Sequence, residues 1–264
     1  MATSTERWTR GQLLIALNLY HKVSFGMFHA KNKMLVDISQ RMGRKPSALP
    51  MKLSNLASID PEFRKTGRKG LKGASDFDRA MWAEYRMHLN ELAPEGEALL
   101  AELMTGDADA PIEVQPDGRI LRVPEGPTEA TASMKVRRGQ RYFQQAVLNA
   151  YKGRCAVTGM NVRSLLIASH IIPWSKAEEH RLDPQNGIAL NALHDKAFDR
   201  GLITFDTDLR LVCAPSIREH YATATIAANF KAYEGQALAF PTEATGPNPE
   251  YLEYHRNELF GKIG

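Results

Sequence analysis

Two histidines and one asparagine in the second half of the chain have side chains suited to a hydrolytic reaction. His170 ends a β-prone run, Asn186 opens a turn, and His194 lies 24 positions after His170. Imidazole titrates near neutral pH, so it can accept a proton from water. Hydrolysis of a phosphodiester needs such a base, and it needs a cation that offsets the charge on phosphate and leaving oxygen. His170, Asn186 and His194 are therefore our candidate catalytic residues.

The segments around these residues are predicted to be a strand, a loop, a second strand and a helix. Residues 165–172 are rich in β-branched and apolar types, and a polar loop follows as far as Pro184. Residues 186–190 form a short returning segment. Residues 191–200 have helical spacing, which Gly201 can end. Residues 202–205 and 209–212 flank a polar turn as the strands of a hairpin would.

Three blocks of this region resemble the HNH (ββα-metal) endonuclease family. The blocks are Ala-Ser-His-Ile-Ile-Pro-Trp at 168–174, Asp-Pro-Gln-Asn-Gly-Ile-Ala-Leu at 183–190, and Leu-His-Asp-Lys-Ala-Phe-Asp-Arg-Gly at 193–201. They are most similar to a subgroup found in predicted bacterial restriction endonucleases. The resemblance extends over roughly residues 136–260, and the helical N-terminal region also resembles the module that precedes this domain in some members.

The resemblance implies a role for each motif residue. His170 would be the general base, Asn186 would hold the loop that aims it, and His194 would bind a divalent metal ion, Mg²⁺ or Mn²⁺. In many relatives the residue before the base is an aspartate or histidine that also binds metal, whereas this chain has Ser169, a weaker ligand. Asp199, one helical turn beyond His194, or Asp195 could complete the metal site. Asp199 on its own is more readily explained as a carboxylate that fixes the end of the helix or a loop than as a metal ligand.

The cysteines do not indicate a second metal site. The chain has two, Cys155 and Cys213, and Thr158 stands where a Cys-x-x-Cys knuckle would need its second thiolate. We therefore expect no structural zinc, and we interpret both cysteines as small buried residues.

The N-terminal region, residues 8 to about 103, is predicted to be helical and to resemble a helix-turn-helix. A short amphipathic helix over 34–42 ends at Gly43, and a second helix begins after Ser47, which we predict to be its N-cap. A glycine-containing segment with five cations follows at 64–72, and three arginines open the helix at 137–141. The predicted DNA-contacting residues are Arg44, Lys45, Ser47, Lys52, Asn55, Arg64, Lys65, Arg68, Lys69, Lys72, Arg137 and Arg138. The alternative, that these are ordinary helix pairs with solvated cations, remains open on this region alone.

Bulk properties limit the remaining alternatives. The chain has 264 residues, 43% of them hydrophobic, and a formal net charge of +4, which mildly favours an acidic partner. No apolar run is long enough to span a membrane, and the first residues lack the apolar core of a signal peptide, so we expect a cytoplasmic protein without a membrane partner. The predicted architecture is α+β: a helix-turn-helix-like domain over 1–103, a linker over 104–133, and a ββα-metal domain over 134–264.

These observations favour a metal-dependent endonuclease acting on double-stranded DNA. Restriction of foreign, even modified, DNA is the context that the resemblance implies, and a homodimer would allow both strands to be cut. A DNA-binding regulator with an inactive HNH fold is the main alternative, because Ser169 replaces a metal ligand. An RNA-directed nuclease is a weaker alternative that the sequence does not exclude.

Overall fold

The computed structural model describes residues 7–115, 119–122, 134–239 and 246–262. In these residues, helices are accompanied by short antiparallel strands, which agrees with the α+β prediction. The chain divides into two compact units, one ending at Asn149 and the other beginning at Ala150. Among the described helices, none combines the length and apolar character needed to cross a membrane.

The first unit consists mainly of helices, as predicted for residues 8–103. Its elements are α1 (Arg10–Tyr20), α2 (Lys33–Arg41), α3 (Ala48–Ile59), α4 (Pro61–Lys65), α5 (Asp76–Met87), α6 (Leu89–Thr105), β1 (Ile112–Val114), β2 (Ile120–Arg122) and α7 (Met134–Ala150), of which the last residue, Ala150, belongs to the second unit. Ser47 is the N-cap residue of α3, as predicted, but its side chain makes no capping hydrogen bond. Instead, the hydroxyl of Ser39 on α2 accepts from the backbone N–H of Leu49, and this bond ties α2 to the start of α3.

Helix α1 is the centre of this unit. Every residue from Leu13 to Leu19 is buried, and the helix packs against α3, α5 and α6. Thr9 caps it by accepting from the backbone N–H of Gln12. Just beyond its end, Lys22 forms a fully buried ion pair with Glu97 of α6, and burial lowers the pKa of Lys22. Removing either partner would leave a buried charge without compensation, so the pair fixes how α1 and α6 meet.

Helix α7 groups with the first unit, although we assigned its sequence to the second domain. The side chain of Gln145 bonds to both ends of β1: it accepts from Val114 N–H and donates to Ile112 O at 2.9 Å. Asn149 donates to Val114 O at 2.8 Å and to Lys22 O at 2.9 Å. These buried amides satisfy backbone groups of the first unit, which explains the position of the boundary. Of the predicted linker, residues 116–118 and 123–133 lie outside the described residues.

The second unit carries the predicted strand, loop, strand and helix. Its elements are β3 (Leu166–His170), β4 (Gly187–Asn191), α8 (Ala192–Asp199), β5 (Ile203–Phe205), β6 (Leu211–Cys213), α9 (Pro215–Arg218), α10 (Ala224–Ile226), a π-helical turn (Ala227–Lys231) and α11 (Pro249–Glu258). β3 pairs with β4 and β5 with β6, both antiparallel. β4 is buried along its whole length, as expected for a strand that packs under α8.

His255 joins α11 to the rest of this unit. It is fully buried, its ring stacks on Phe198 at 3.7 Å, its Nε2–H donates to Phe198 O, and Thr204 donates its hydroxyl to Nδ1. A carbonyl can only accept, so the folded unit requires a ring with one proton. Burial, together with the charge of the neighbouring Arg256, lowers the pKa of His255 to about 4.

We expect acid to destabilise the second unit through His255. Its pKa is lower in the folded than in the unfolded chain, so its contribution is complete above the unfolded value of about 6.5 and is lost as the pH falls towards 4. The loss should reach about 3 kcal/mol by pH 4. Denaturant titrations of wild type and His255→Gln between pH 7 and pH 4 would measure it. The variant should be less stable at pH 7 and should lose less stability on acidification; parallel losses would contradict the assignment.

Candidate functional site

The candidate site lies where β3 ends against α8. In the β3–β4 register, Ser169 pairs with Ile188 and His170 pairs with Gly187. Ser169 and His170 are therefore the last two residues of β3, next to the loop that joins the two strands. Asn191, the last residue of β4, caps α8 by accepting from His194 N–H at 2.9 Å. Because β4 leads directly into α8, the start of the helix is fixed relative to β3.

His170 is held at the end of β3 by the loop that follows it. Its Nε2 lies 3.0 Å from the carbonyl oxygen of Arg181, and the indole of Trp174 packs edge-on against the ring at 5.6 Å. Since a carbonyl only accepts, Nε2 carries the proton and the neutral ring has its lone pair on Nδ1. Burial lowers the pKa of His170, while the Arg181 carbonyl and the charge of Asp199 oppose this shift. The ring is therefore neutral at neutral pH, as a base must be.

Arg181 and Trp174 support this arrangement. The Nε of Arg181 donates to the carbonyl of Trp174 at 2.8 Å, and its guanidinium lies over the indole ring at 5.3 Å from the ring centre. The two groups that contact the His170 ring, the Arg181 carbonyl and the Trp174 indole, are thus held relative to each other by the Arg181 side chain. No local sequence pattern marks either residue as part of the site, because their role depends on how the loop folds.

Asn186 closes that same loop. It is fully buried; its Oδ1 accepts from Ile172 N–H at 2.8 Å, and its Nδ2 donates to the carbonyls of Ile172 and His180, each at 3.2 Å. One side chain thereby bonds to both sides of the loop that contains Arg181. A carboxamide has both a donor and an acceptor at this position, which neither aspartate nor alanine offers.

Two carboxylates of α8 lie beside Ser169 and His170. Asp195 and Asp199 are one helical turn apart and share a face. Asp195 is half-buried, and burial raises its pKa, the Ser169 hydroxyl lowers it, and the charge of Asp199 raises it again. The Ser169 hydroxyl is itself buried and, although close enough to affect Asp195, completes no hydrogen bond of ordinary geometry with the described residues. A bound cation would offset the repulsion between the two carboxylates and would give the buried hydroxyl oxygen a partner.

His194 occupies a different face of α8. It is fully buried, its Nε2–H donates to the carbonyl of Asn229 at 2.8 Å, and its Nδ1 lies 3.0 Å from Asn191 Oδ1. The ring packs on Phe230, and burial lowers its pKa. A metal-ligand role, which we expected from the resemblance, would require one of these contacts to break. The His194 ring is therefore fully engaged in holding α8 to the turn that contains Asn229.

The structure brings together His170, Ser169, Asp195 and Asp199. His194 lies on another face of α8, against Asn229 and Phe230. No group of three or more His, Cys, Asp or Glu side chains is placed to hold a metal ion within the described ranges. Two carboxylates are nevertheless enough for Mg²⁺, which keeps several waters and binds through one or two carboxylates plus substrate phosphate.

The basic residues predicted to contact DNA divide into two classes. Arg44 is buried over Trp8 and donates to Gln12 Oε1 and Arg7 O, and Lys52 is buried in an ion pair with Asp78 at 2.7 Å. Arg138 is paired with Asp109. These three side chains are therefore engaged in hydrogen bonds or ion pairs inside the first unit. Their partners are distant in sequence. The other predicted residues are exposed or half-buried: Lys45, Ser47, Asn55, Arg64, Lys65, Arg68, Lys69, Lys72 and Arg137.

A comparison with family models identifies the second unit's core. The model described as HNH endonuclease matches residues 155–206. This segment therefore resembles an HNH endonuclease domain. The match covers β3, β4, α8 and β5, and it includes every residue of the site described above. No curated protein matches the chain. The HNH domain suggests nuclease activity, for which DNA is the implied substrate and a divalent metal ion the usual partner in reactions of this family.

Replacing Asn186 should open the loop of the HNH domain. In Asn186→Ala, the Ile172 N–H and two carbonyls lose their partner, which should cost about 2 kcal/mol or more of stability. Hydrogen exchange at the Ile172 amide should become markedly faster. Gln185→Ala is the matched control, since its backbone N–H and not its side chain bonds in the turn. Equal exchange in wild type and Asn186→Ala would show that the side chain does not hold the loop.

Proposed function

We propose that this chain is a metal-dependent endonuclease that hydrolyses phosphodiester bonds of double-stranded DNA. The observation that carries the proposal is the arrangement of His170 inside the HNH domain: a neutral imidazole, oriented through its Nε2–H, stands beside two carboxylates on one helix face. A base next to acidic metal ligands is the combination that phosphodiester hydrolysis requires.

His170 is the proposed general base. With its proton on Nε2, the lone pair on Nδ1 can accept a proton from the attacking water. The Arg181 carbonyl then favours the imidazolium that results, since it already accepts from the other nitrogen. Asn186 and Trp174 act through position: they hold the loop and the ring so that the base does not need to reorient during the reaction.

Asp195 and Asp199 are the proposed metal ligands, with the Ser169 hydroxyl as a further oxygen donor. Oxygen donors are those that Mg²⁺ and Mn²⁺ prefer, and the acidic pair explains why a dication would be held here. When bound, such an ion offsets the negative charge that develops on the phosphate and the leaving oxygen. His194 serves as a positioning residue that anchors α8, and with it both carboxylates.

Contacts to the DNA backbone are proposed for the exposed cations of the first unit, above all Lys69 and Lys72. Restriction of foreign DNA is the proposed context, supported by the likeness of the three motif blocks to restriction endonucleases. Such an enzyme would have to cut both strands, which two copies of the chain could do together.

Cleavage should depend on His170. Purified His170→Ala should relax or cut plasmid DNA about 10²–10⁴-fold more slowly than wild type in Mg²⁺ or Mn²⁺, as expected for the loss of a general base. His220→Ala, an exposed histidine of the same unit, is the control and should cut normally. EDTA should abolish cutting by both active proteins. Failure of well-folded, metal-loaded wild type to cut any duplex would instead favour a DNA-binding protein with a silent HNH fold.

Metal binding should depend on the two aspartates and not on the base. Mn²⁺ should raise the unfolding temperature of wild type and of His170→Ala, because a ligand that binds only the folded state stabilises it. The shift should be lost in Asp195→Asn and Asp199→Asn. Asp208→Asn, in the turn between β5 and β6, is a control that should keep it. If His194→Gln abolished the shift at equal folding while both aspartate variants kept it, the ligand assignment would be overturned.

A further inference from the structure

The basic segment after α4 is not a free loop but lies across α3. Gly70 approaches α3 so closely that a Cβ there would overlap the main chain at Ser54 and Ser58, and the N–H of Leu71 donates to Ser54 O at 3.0 Å. Only a glycine permits this approach. Leu71 is therefore held on α3 at Ser54, which follows Met51 by about one helical turn.

Three large apolar side chains around this contact face solvent. Met51 is 53% exposed, Leu71 52% and Phe77 43%. Phe77 is next in sequence to Asp78, whose carboxylate pairs with Lys52 of α3, so the start of α5 also lies against α3. We call Met51, Leu71 and Phe77 the apolar patch. An exposed apolar patch with a polar rim is a feature of binding surfaces.

The surroundings of the apolar patch are strongly positive. From Arg64 to Ser75 the sequence carries five cations and no acidic residue, and Lys69 and Lys72 are exposed on either side of Leu71. Asp78 is buried and already paired, whereas Asp76 is the acidic residue that remains exposed nearby. A second copy of the chain would present the same positive charge, so two such surfaces would repel each other. A polyanion that has an apolar group between its phosphates matches this surface better than a second copy of the chain does.

We propose that the apolar patch enters the major groove of DNA and contacts the C5-methyl group of a pyrimidine, while Lys69 and Lys72 contact the flanking phosphates. The major groove is where a duplex displays this methyl group, and apolar side chains are its usual contacts. Thymine and 5-methylcytosine both carry it, so the shared chemistry is the methyl group. The inference rests on the proposed function only in taking duplex DNA as the partner.

Binding to matched duplexes tests the proposal without requiring cleavage. Full-length His170→Ala would be titrated by fluorescence anisotropy with duplexes that differ only in thymine against deoxyuridine, and separately in cytosine against 5-methylcytosine. Each contacted methyl group that is removed should weaken binding about fourfold, the effect expected from burying one methyl. The thymine pair and the cytosine pair show which base supplies the methyl.

Variants of the patch separate methyl contact from charge. Met51→Gln, Leu71→Gln and Phe77→Gln, all at exposed positions, should bind methylated and unmethylated duplexes equally. Lys69→Gln and Lys72→Gln should weaken binding to both and lower the slope of log K against log salt by about one each, while preserving the preference. Sedimentation at the same concentrations would show whether the patch instead joins two copies.

The outcomes distinguish this inference from the proposed function. Two results would overturn the methyl contact even if the protein cuts DNA. One is equal binding of all duplexes by the His170→Ala protein with an unchanged apolar patch. The other is a dimer that dissociates in Met51→Gln. A methyl preference that the patch variants abolish would support it even if wild type cuts nothing. In that case only the nuclease proposal would fail.

Discussion

The side-chain amide of Asn186 bonds to the backbone at Ile172, 14 residues earlier, and at His180, six residues earlier, and the geometry of the HNH domain depends on these bonds. Its bonds to Ile172 and His180 close the loop from both sides. The Arg181 carbonyl, which fixes the proton on His170, belongs to this loop. Buried polar networks stabilise one arrangement only when every member is satisfied. The orientation of the base therefore derives from an amide that takes no part in the proton transfer.

The order and approximate bounds of β3, β4 and α8 were predictable from the sequence, because each has its own local pattern. Which residues of α8 face β3 was not predictable. Neighbouring helical positions differ by about 100° around the axis, so a motif that places His194 on the helix does not say whether His194 or Asp195 meets Ser169. The position of Asn229 decides this, and it lies 35 residues away. Long-range contacts of this kind leave no local signal.

The same limit applies to charges in the first unit. Lys52 looks available in the sequence, since a lysine at an exposed helix position is common, yet Asp78 pairs with it from 26 residues away. Helix α7 was predicted to open the second domain, yet it groups with the first unit for a related reason: the backbone groups that Gln145 and Asn149 satisfy are those of β1. Amphipathic spacing indicates that a helix buries one face but not what covers that face.

The π-helical turn Ala227–Lys231 has a consequence for how this chain can vary. Its bond from Ala232 N–H to Ala227 O spans five residues, one more than an α-helical turn. That extra residue sets the rotation at which the Asn229 carbonyl meets His194. Removing one residue would restore an α-helical turn and swing the carbonyl by about 100° around the axis. Related sequences should therefore exchange side chains in this stretch more freely than they insert or delete positions.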